Sequence, residues 1–379
     1  MRKIIIAPDS FKGTLSSVQV CQFIQAAAQE VFPACEVLSV PIADGGEGSV
    51  DCMLAAAGGK RCFCAVTGPL FSPVRAYYGR LNGGAAVVET AACAGLPLVQ
   101  EPSPLHTTTY GVGELIAEAA HRGAEQIYVG LGGSATNDGG CGMAAALGAR
   151  FYNARGEAFV PVGGTLGDVA RIDVTGIDKR IAGLEITAMC DIENPLFGPR
   201  GAAYVFGPQK GADTAAVELL DAGLRHLAAT AARDIGINCA EEPGAGAAGG
   251  LGFGMRAFLG ARLRSGIDTA LEASGFDVLL QDADLVVTGE GRLDAQSGMG
   301  KAVGGVALLA KRAGVPVVAL AGGIAADSAL LGLDAAFSIN RLPEPLSVSG
   351  VKSGDNLYRT ALELFRLIRL SLNAAHREA

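Results

Sequence analysis

Short apolar segments of this chain end repeatedly in glycine together with an acid, an amide or a lysine. Residues 4–7 lead into the sequence PDSFKG, residues 36–41 lead into IADGGEG, and residues 126–131 lead into GGSATND. In open α/β sheets, ligands bind beyond the carboxyl ends of the strands. Glycine lets backbone N–H groups approach phosphate oxygens, and carboxylates hold Mg²⁺ or accept a proton. The pattern therefore predicts metal–phosphate chemistry.

The strongest single feature is the glycine-rich loop of residues 130–140, with the sequence GLGGSATNDGG. It lies between a predicted strand and a predicted helix of small residues, so it can present several N–H groups and a helix N-terminus to an anion. A tight turn with Ser134 as the helix cap would explain the Gly-Gly-Ser part alone. The polar run of Thr136, Asn137 and Asp138 exceeds what a cap requires, which favours a ligand site.

Two groups of charged residues follow the first strand and a later one. Lys12, beside Asp9 and Ser10, could bind a phosphate or a carboxylate, and its alternative is an ordinary solvated lysine. Glu290 and Arg292 follow the predicted strand 283–288. The arginine could stabilise charge in a transition state, and the alternative is a surface ion pair of little energetic value.

Two further acidic motifs follow predicted strands. Asp44 and Glu47 flank a pair of glycines whose amides could bind a substrate carboxylate or hydroxyl, and the alternative is an acidic turn. Asp191 ends the apolar strand 187–190 and precedes Asn194. Such a pair could ligate Mg²⁺ or accept a hydroxyl proton, and an Asx-turn before Pro195 is the alternative for the asparagine.

The predicted strands and helices that position these residues follow one another in the order typical of an α/β protein. Strands and helices alternate at both ends of the chain, with predicted helices over 18–31, 301–312 and 357–372. Between residues 61 and 88, period-2 segments broken by Asn82-Gly83 indicate an antiparallel hairpin. Further helices are expected over 111–121 and 215–235, and a flexible lid or helix-entry loop over 243–254.

We therefore predict a flavodoxin- or Rossmann-like domain with a parallel sheet, interrupted by a second α/β domain with a mixed sheet. The first domain is expected to comprise residues 1–62 and 282–379, and the inserted domain residues 63–281. The assignment of residues 105–150 stays open between the two.

The composition of the chain excludes some classes of protein and argues against others. The chain has 379 residues, of which 50% are hydrophobic and 18% charged, so a disordered chain is excluded. The net charge is −8 without a basic stripe, which argues against a nucleic-acid partner. The nine cysteines are odd in number and scattered, as expected of reduced thiols in the cytoplasm. We expect neither a signal peptide nor a membrane span.

Several familiar motifs fail. The segment GMGK at 298–301 lacks the first glycine and the final Ser/Thr of a P-loop, and the G-x-G-x-x-G match at 244–249 follows no strand. The four histidines show no mutual spacing, so a hydrolase triad is unsupported. A non-catalytic binding protein and a dinucleotide-dependent oxidoreductase stay open as rivals at this point.

Six segments together resemble the bacterial-type glycerate kinase family. In chain order they are IIIAPDSFKGTLSS, PIADGGEGSVD, GLGGSATNDGGCG, CDIENPLFGPRGAA with FGPQKGA, EEPGAGAAGGLGFG and ADLVVTGEGRLDAQSGMGKA. The resemblance covers essentially the whole chain. It implies two α/β domains with an active site in the cleft between them, and transfer of a phosphoryl group from Mg-ATP to D-glycerate. The product implied is 2-phosphoglycerate. Transfer to the 3-hydroxyl is an alternative, and so is a GHMP-type small-molecule kinase, whose G-L-G-S-S-A loop the sequence GLGGSA approaches.

The resemblance also implies roles for the residues singled out above. Asp191 would be the base, and Lys12 and Arg292 would offset phosphoryl charge. The residues expected to bind glycerate are Asp9, Ser10, Asp44, Gly45, Gly46, Glu47, Asn194 and Glu290. Those expected to bind ATP are Gly132, Gly133, Ser134, Ala135, Thr136 and Asn137. Asp138 and Asp191 are the expected ligands of Mg²⁺. We expect a cytoplasmic monomer or homodimer.

Overall fold

A computed structural model describes residues 1–294, 297, 301–325, 332–342 and 344–378 of the chain. The chain forms two compact units. Unit 1 comprises Met1–Ala43, Asp51–Gly58 and Ile267–Ala379, and unit 2 comprises Asp44–Val50 and Gly59–Gly266. The domain limits given above from the sequence stay a prediction.

Strands and helices alternate along the described residues. The strands are β1 (Lys3–Ile6), β2 (Glu36–Ser39), β3 (Gly59–Thr67), β4 (Pro73–Leu81), β5 (Ala85–Glu89), β6 (Gln126–Gly130), β7 (Arg150–Tyr152), β8 (Ala158–Phe159), β9 (Arg171–Asp173), β10 (Glu185–Met189), β11 (Arg262–Arg264), β12 (Leu285–Leu293), β13 (Val317–Ile324) and β14 (Ala335–Ser338). The helices are α1 (Ser17–Val31), α2 (Ser49–Ala57), α3 (Ala91–Ala94), α4 (Tyr110–His121), α5 (Cys141–Ala146), α6 (Lys179–Ala182), α7 (Ala202–Phe206), α8 (Thr214–Ile235), α9 (Ala247–Leu259), α10 (Gly266–Ala273), α11 (Phe276–Leu279), α12 (Ala302–Arg312), α13 (Leu346–Ser349) and α14 (Ser353–Glu378). Short 3-10 helices cover Leu96–Leu98, Gly163–Asp168 and Pro208–Lys210.

Unit 1 is built on a parallel sheet with the strand order β14-β13-β12-β1-β2. Renumbered within the unit, this is the flavodoxin-like order 2-1-3-4-5. Strand β1 is buried on both faces, as its unbroken apolar run predicts. Ile4 and Ile6 pack with Ile24 and Phe365 on one side, and Ile5 packs with helices α10 and α12 on the other.

Helix α1 begins at Ser17, one residue before the predicted start. Ser16 caps it and forms a capping box with Gln19, which satisfies two backbone N–H groups at the helix start. Val20, Ile24 and Val31 lie on its buried face. This apolar stripe packs against α14, so helices from both ends of the chain cover one face of the sheet.

Unit 2 is built on a six-stranded mixed sheet with the order β11-β10-β6-β5-β4-β3. Strands β3, β4 and β5 are antiparallel, as their alternating pattern predicts, whereas β5, β6, β10 and β11 run parallel. The carboxyl ends of these four parallel strands therefore share one edge. A small antiparallel sheet, β8-β7-β9, was not expected, because its strands are only two or three residues long.

The predicted fold class, a flavodoxin-like parallel sheet with a second α/β part containing a mixed sheet, is confirmed. Two local predictions are wrong. Strand β12 continues to Leu293 instead of ending near Thr288, so Glu290 and Arg292 lie within the strand. Within the expected loop 243–254, residues 248–250 form a left-handed turn and the chain is helical from Leu251 onward, so the loop is shorter than predicted. Among the helices of the described residues, none is long and apolar enough to cross a membrane.

Candidate active site

Two glycine-rich loops predicted to carry chemistry touch each other in unit 2. The Gly132 N–H donates to the Gly45 carbonyl at 3.0 Å. A Cβ added at Gly130 would lie 2.5 Å from the Gly45 carbonyl oxygen, and one at Gly132 would lie 2.5 Å from Gly46 Cα. The loops pack backbone against backbone, which only glycine permits.

The Asp44–Glu47 segment is fixed by short local contacts. Asp44 Oδ1 accepts the Gly46 N–H at 3.1 Å, and Gly45 adopts a left-handed φ of 85°. A Cβ on Gly45 would lie 2.8 Å from the carbonyl oxygen of Met189 at the end of β10. Glu47 is exposed at the rim of this segment. The segment therefore lies across the carboxyl ends of β6 and β10.

Asp191 follows β10 directly and lies on the same edge of the sheet. Its Oδ1 accepts the Gly266 N–H at 2.9 Å. A Cβ on Gly266 would lie 2.3 Å from the Asp44 carbonyl oxygen, so Gly266 connects Asp191 to the Asp44 segment. The structure thus brings together the predicted base, the predicted glycerate loop and the start of the predicted ATP loop.

Asn194 has a different environment from Asp191. Its side-chain amide donates to the Arg200 carbonyl at 2.7 Å, and its own carbonyl accepts the Gly246 N–H at 2.9 Å. These contacts close the loop of residues 194–200. Its predicted role in binding glycerate stays a prediction, and the contacts shown are structural.

The ATP loop has an exposed beginning and a buried remainder. Gly133 is exposed and Gly132 half-buried, whereas the residues that follow are buried, namely Ser134, Ala135, Thr136 and Asn137. The loop is fixed by two backbone hydrogen bonds, from the Leu96 N–H to the Gly133 carbonyl and from the Ala135 N–H to the Ala94 carbonyl. A ligand on the loop surface would therefore contact the Gly132 and Gly133 backbone before any of the buried side chains.

A left-handed turn covers the buried part of the loop. Ala248, Gly249 and Gly250 all have positive φ angles, of 53°, 68° and 86°. The Gly249 carbonyl accepts the Gly139 N–H at 3.1 Å, and a Cβ on Gly249 would lie 2.0 Å from the Thr136 carbonyl oxygen. The glycine-rich segment at the start of α9 is thus a packed support for the loop. It leads into the helix, as the alternative of a helix-entry loop predicts, and the alternative of a flexible lid is wrong.

Asp138 is enclosed completely and saturated with hydrogen bonds. Its Oδ2 accepts from the Thr109 N–H at 2.8 Å, the Thr109 hydroxyl at 2.9 Å and the Gly142 N–H at 3.2 Å, and its Oδ1 accepts the Gly140 N–H at 3.1 Å. Burial raises the pKa of this carboxyl, while the hydrogen bonds from Thr109, Gly140 and Gly142 act to lower it. These contacts tie the starts of α4 and α5 together and leave the carboxylate poorly suited to a metal.

A second cluster of predicted residues lies in unit 1, where β1 and β12 are neighbours. In a 2-1-3-4-5 sheet the switch point lies between these strands, and ligands bind there. The Asp9 N–H donates to the Gly289 carbonyl at 2.8 Å, and Asp9 Oδ1 accepts the Ser10 N–H at 2.6 Å. A Cβ on Gly291 would lie 3.3 Å from the Lys12 backbone nitrogen.

Glu290 is the buried acid of this cluster, with 7% of its surface exposed. Its Oε1 has no hydrogen-bond partner among the described residues. Burial raises the pKa of Glu290, and the charges of Lys301 and Lys12 act in the opposite direction. A buried carboxyl with a raised pKa at a switch point is typical of a functional group.

Arg292 is exposed, and its Nε lies 4.0 Å from Asp294 Oδ2. Lys301 Nζ lies 4.0 Å from Asp294 Oδ1. Such exposed pairs contribute little stability, so the arginine stays available to an anionic ligand. Residues 295, 296 and 298–300, which include most of the near-match to a P-loop, lie outside the described residues.

Comparison with known proteins decides the family. The model of the "Glycerate kinase family" matches residues 4–369. The chain belongs to the glycerate kinase family. It is 46% identical over 375 residues to a glycerate kinase of Bacillus subtilis (strain 168), covering 97% of this chain and 98% of the relative. It is 42% identical over 379 residues to the glycerate 2-kinase of Escherichia coli (strain K12), covering 98% and 100%. A crystal structure of a glycerate kinase 2 from Salmonella typhimurium LT2 is 43% identical, has a TM-score of 0.90 and covers 98% of this chain and 99% of its own.

Few carboxylates of this glycerate kinase family member are placed to ligate Mg²⁺. No group of three or more His, Cys, Asp or Glu side chains that could hold a metal occurs among the described residues. Mg²⁺ in phosphoryl-transfer sites usually needs only one or two carboxylates, because substrate phosphates and water complete its shell. The exposed Asp191 fits that requirement. Asp138 does not, since internal donors already occupy both of its oxygens.

Two residues of this family member were missed by the sequence reasoning. Glu89, buried at the end of β5, accepts the Val50 N–H at 2.6 Å in the first turn of α2. Lys210 is buried behind the ATP loop and donates to Ser134 Oγ at 2.8 Å and to the Thr136 carbonyl at 2.7 Å. The segment FGPQKGA, which contains Lys210, was part of the family resemblance and was the one signal that pointed to it.

Proposed function

We propose that this protein transfers the γ-phosphoryl group of ATP to the 2-hydroxyl of D-glycerate and forms 2-phosphoglycerate and ADP. The observation that carries the proposal is the meeting of two glycine-rich loops with Asp191 at one sheet edge. Gly132 and Gly45 are hydrogen-bonded, and Gly266 joins Asp191 to the same segment. A relative named glycerate 2-kinase, 42% identical over 379 residues, supports the choice of hydroxyl.

In this proposal, ATP binds the exposed start of its loop and glycerate binds the adjoining segment. The Gly132 and Gly133 backbone, at the end of β6, faces the phosphates, and the later loop residues support it from below. The Gly45–Gly46 backbone binds the glycerate carboxylate, with Asp44 and Glu47 orienting its hydroxyls. Phosphoryl transfer needs mainly such positioning and charge stabilisation.

Asp191 is the proposed base. Its carboxylate is oriented by the Gly266 N–H at 2.9 Å. It accepts the proton of the glycerate hydroxyl as that oxygen forms its bond to the γ-phosphorus. The bond between the γ-phosphorus and the bridging oxygen breaks in the same displacement, and ADP leaves with that electron pair.

The unit 1 cluster is proposed to bind an anionic ligand at the switch point of its own sheet. Lys12 and Arg292 are exposed cations that can offset phosphoryl charge. Asp9 and Ser10 would orient hydroxyl groups, and the buried Glu290 would donate or accept a hydrogen bond according to its protonation. These roles rest on the cluster's position at the switch point of the sheet.

Mg²⁺ is proposed as the metal. Asp191 is the predicted ligand that fits it, and the remaining ligands would be ATP phosphates and water. When bound, the ion neutralises charge on the phosphate oxygens.

The proposed activity is tested by incubating the protein with D-glycerate, ATP and Mg²⁺ and passing the product to enolase, with and without phosphoglycerate mutase. Signal without the mutase supports 2-phosphoglycerate. Signal only with the mutase indicates transfer to the 3-hydroxyl. No consumption of ATP overturns the proposal, and an Asp191→Asn variant serves as the matched control for contaminating kinase.

A further inference from the structure

Lys210 is a buried cation directly behind the loop proposed to bind ATP. Only 3% of its surface is exposed, and its Nζ donates to Ser134 Oγ at 2.8 Å and to the Thr136 carbonyl at 2.7 Å. We propose that Lys210 is the positioning residue of this loop, whose ammonium fixes residues 134–136 and places a positive charge behind the bound triphosphate. The inference rests on the proposed function.

The turn that carries Lys210 is built to hold the side chain in one place. Lys210 ends the 3-10 helix Pro208–Lys210, and Gly211 follows with a left-handed φ of 89°. A Cβ on Gly211 would lie 2.1 Å from the Pro102 carbonyl oxygen, and one on Gly207 would lie 2.4 Å from the Ala203 carbonyl oxygen. The two flanking glycines allow close backbone packing on both sides, so the lysine is delivered from a rigid support.

The lysine is not explained by packing alone. Burial lowers the pKa of Lys210 to about 7, and the charge of Asp138 acts in the opposite direction. Asp138 is the ionisable group that acts on the ammonium among the described residues. A desolvated ammonium weakens the fold, and an apolar side chain of similar length would avoid that penalty. A charge kept at such a place is expected to serve a ligand.

The chemistry of the loop also favours a cation behind it. The loop surface offers backbone at Gly132 and Gly133, and ATP brings several negative charges to it. In a partly dry site, a cation behind the loop attracts those charges more strongly than an exposed lysine would. Bound ATP should in turn favour the charged form of Lys210. ATP affinity should therefore fall as the pH rises through the pKa of this group.

The first measurement is the pH dependence of the KM for ATP in the unmodified protein and in Ser134→Ala. ATP's own phosphate also titrates near this range. The alanine variant separates the two, because it removes one acceptor of the ammonium and leaves ATP unchanged. We expect the KM of the unmodified protein to rise at least about threefold from below to above neutral pH, and the rise to move to lower pH in the variant.

The second measurement uses Lys210→Met, with Lys179→Met as the control. Lys179 is exposed in the short helix α6 of the same unit. Losing a charged hydrogen-bond donor should raise the KM for ATP by about 10- to 100-fold at pH 6 and remove its pH dependence beyond that of ATP itself. Lys210→Arg, which stays charged, should bind ATP tightly, and its KM for ATP should not change with pH beyond the titration of ATP itself. The Lys179→Met control should behave as the unmodified protein.

These outcomes separate the inference from the proposed function. If Lys210→Met keeps the KM and the pH profile of the unmodified protein, the positioning role is wrong although glycerate phosphorylation stands. If glycerate is not phosphorylated, ATP affinity from calorimetry at pH 6 and above neutral pH replaces KM and gives the same test. A pH profile unaltered by Ser134→Ala also overturns the role.

Discussion

Gly132→Ala tests directly whether the contact between the two glycine-rich loops determines activity. The added Cβ would lie 2.5 Å from Gly46 Cα, whereas carbon atoms in contact are normally about 3.5–4.0 Å apart. One loop must therefore move by about 1 Å. The hydrogen bond from the Gly132 N–H to the Gly45 carbonyl, 3.0 Å in the native chain, would be strained or lost.

The expected magnitudes follow from this displacement. Overpacking of this kind destabilises a protein by about 1–3 kcal/mol. A misplacement of about 1 Å in a phosphoryl-transfer site lowers the rate by about 100-fold. We therefore expect kcat/KM for D-glycerate to fall by about two orders of magnitude, while the free energy of unfolding falls by only a few kcal/mol.

The assay is the enolase-coupled reaction, with urea unfolding measured in parallel. Gly83→Ala is the matched control, because no atom lies within 4 Å of its added Cβ and its φ is not left-handed. If Gly132→Ala keeps kcat/KM within about threefold, or if the control loses activity equally, the loop contact does not position the reaction and the reasoning fails.

Three further substitutions test individual roles. Asp191→Asn should abolish turnover while ATP affinity, measured by calorimetry without Mg²⁺, is retained, and near-normal turnover would remove it as the base. Asp138→Asn should lower the free energy of unfolding by about 1–3 kcal/mol without altering the Mg²⁺ dependence of the rate, and a changed Mg²⁺ dependence would restore the metal role. Burial raises the pKa of Glu290 in the folded protein above 4.5, the pKa of the carboxyl in the unfolded chain. The free energy of unfolding should therefore fall as the pH rises from 4.5 through the pKa of the folded protein. Glu290→Gln should lose that pH dependence in urea unfolding and lose activity, and an unchanged stability profile would contradict this.

Much of the fold can be predicted from the sequence where one local signal dominates. The run of isoleucines in β1 has no polar alternation, so both faces must be buried, and the structure places them so. Helix α1 carries both a capping box and a 3.6-residue apolar stripe. For these elements, local preference and tertiary packing agree.

Strand β12 could not be bounded from sequence because its glycines are typical of a turn. They occur instead where the backbones of β12 and β13 leave no room for a Cβ atom. A Cβ on Gly289 would lie 2.1 Å from the Leu320 carbonyl oxygen, and one on Gly322 would lie 2.5 Å from the Gly291 carbonyl oxygen. Tertiary approach, which a single segment does not encode, thus outweighs the local turn preference.

In the candidate site, too, residues marked by a local signal could be predicted, and residues defined by tertiary contacts could not. Asp191 and the Gly45–Gly46 pair were found because each follows a strand, and parallel strands share an edge. Lys210 follows a helix, and its contacts at Ser134 and Thr136 are 74 or more positions away in the chain. The sequence predicts a metal ligand at Asp138 because it shows the carboxylate but not the hydrogen-bond donors from Thr109.

The pairing of β1 with β12 has a consequence for how the chain is synthesised. Ile4 pairs with Leu285 and Ile6 with Val287, so β1, which has β2 as its first neighbour, gains its second neighbour only some 280 residues later. Residues 59–266 of unit 2 emerge in the interval and contain all the strands of the mixed sheet. Long-range parallel pairing is slow, and domains generally fold as units during synthesis. Unit 2 is therefore set to fold on the ribosome first, while β1 and β2 lack their β12 neighbour and keep apolar surface that chaperones can bind.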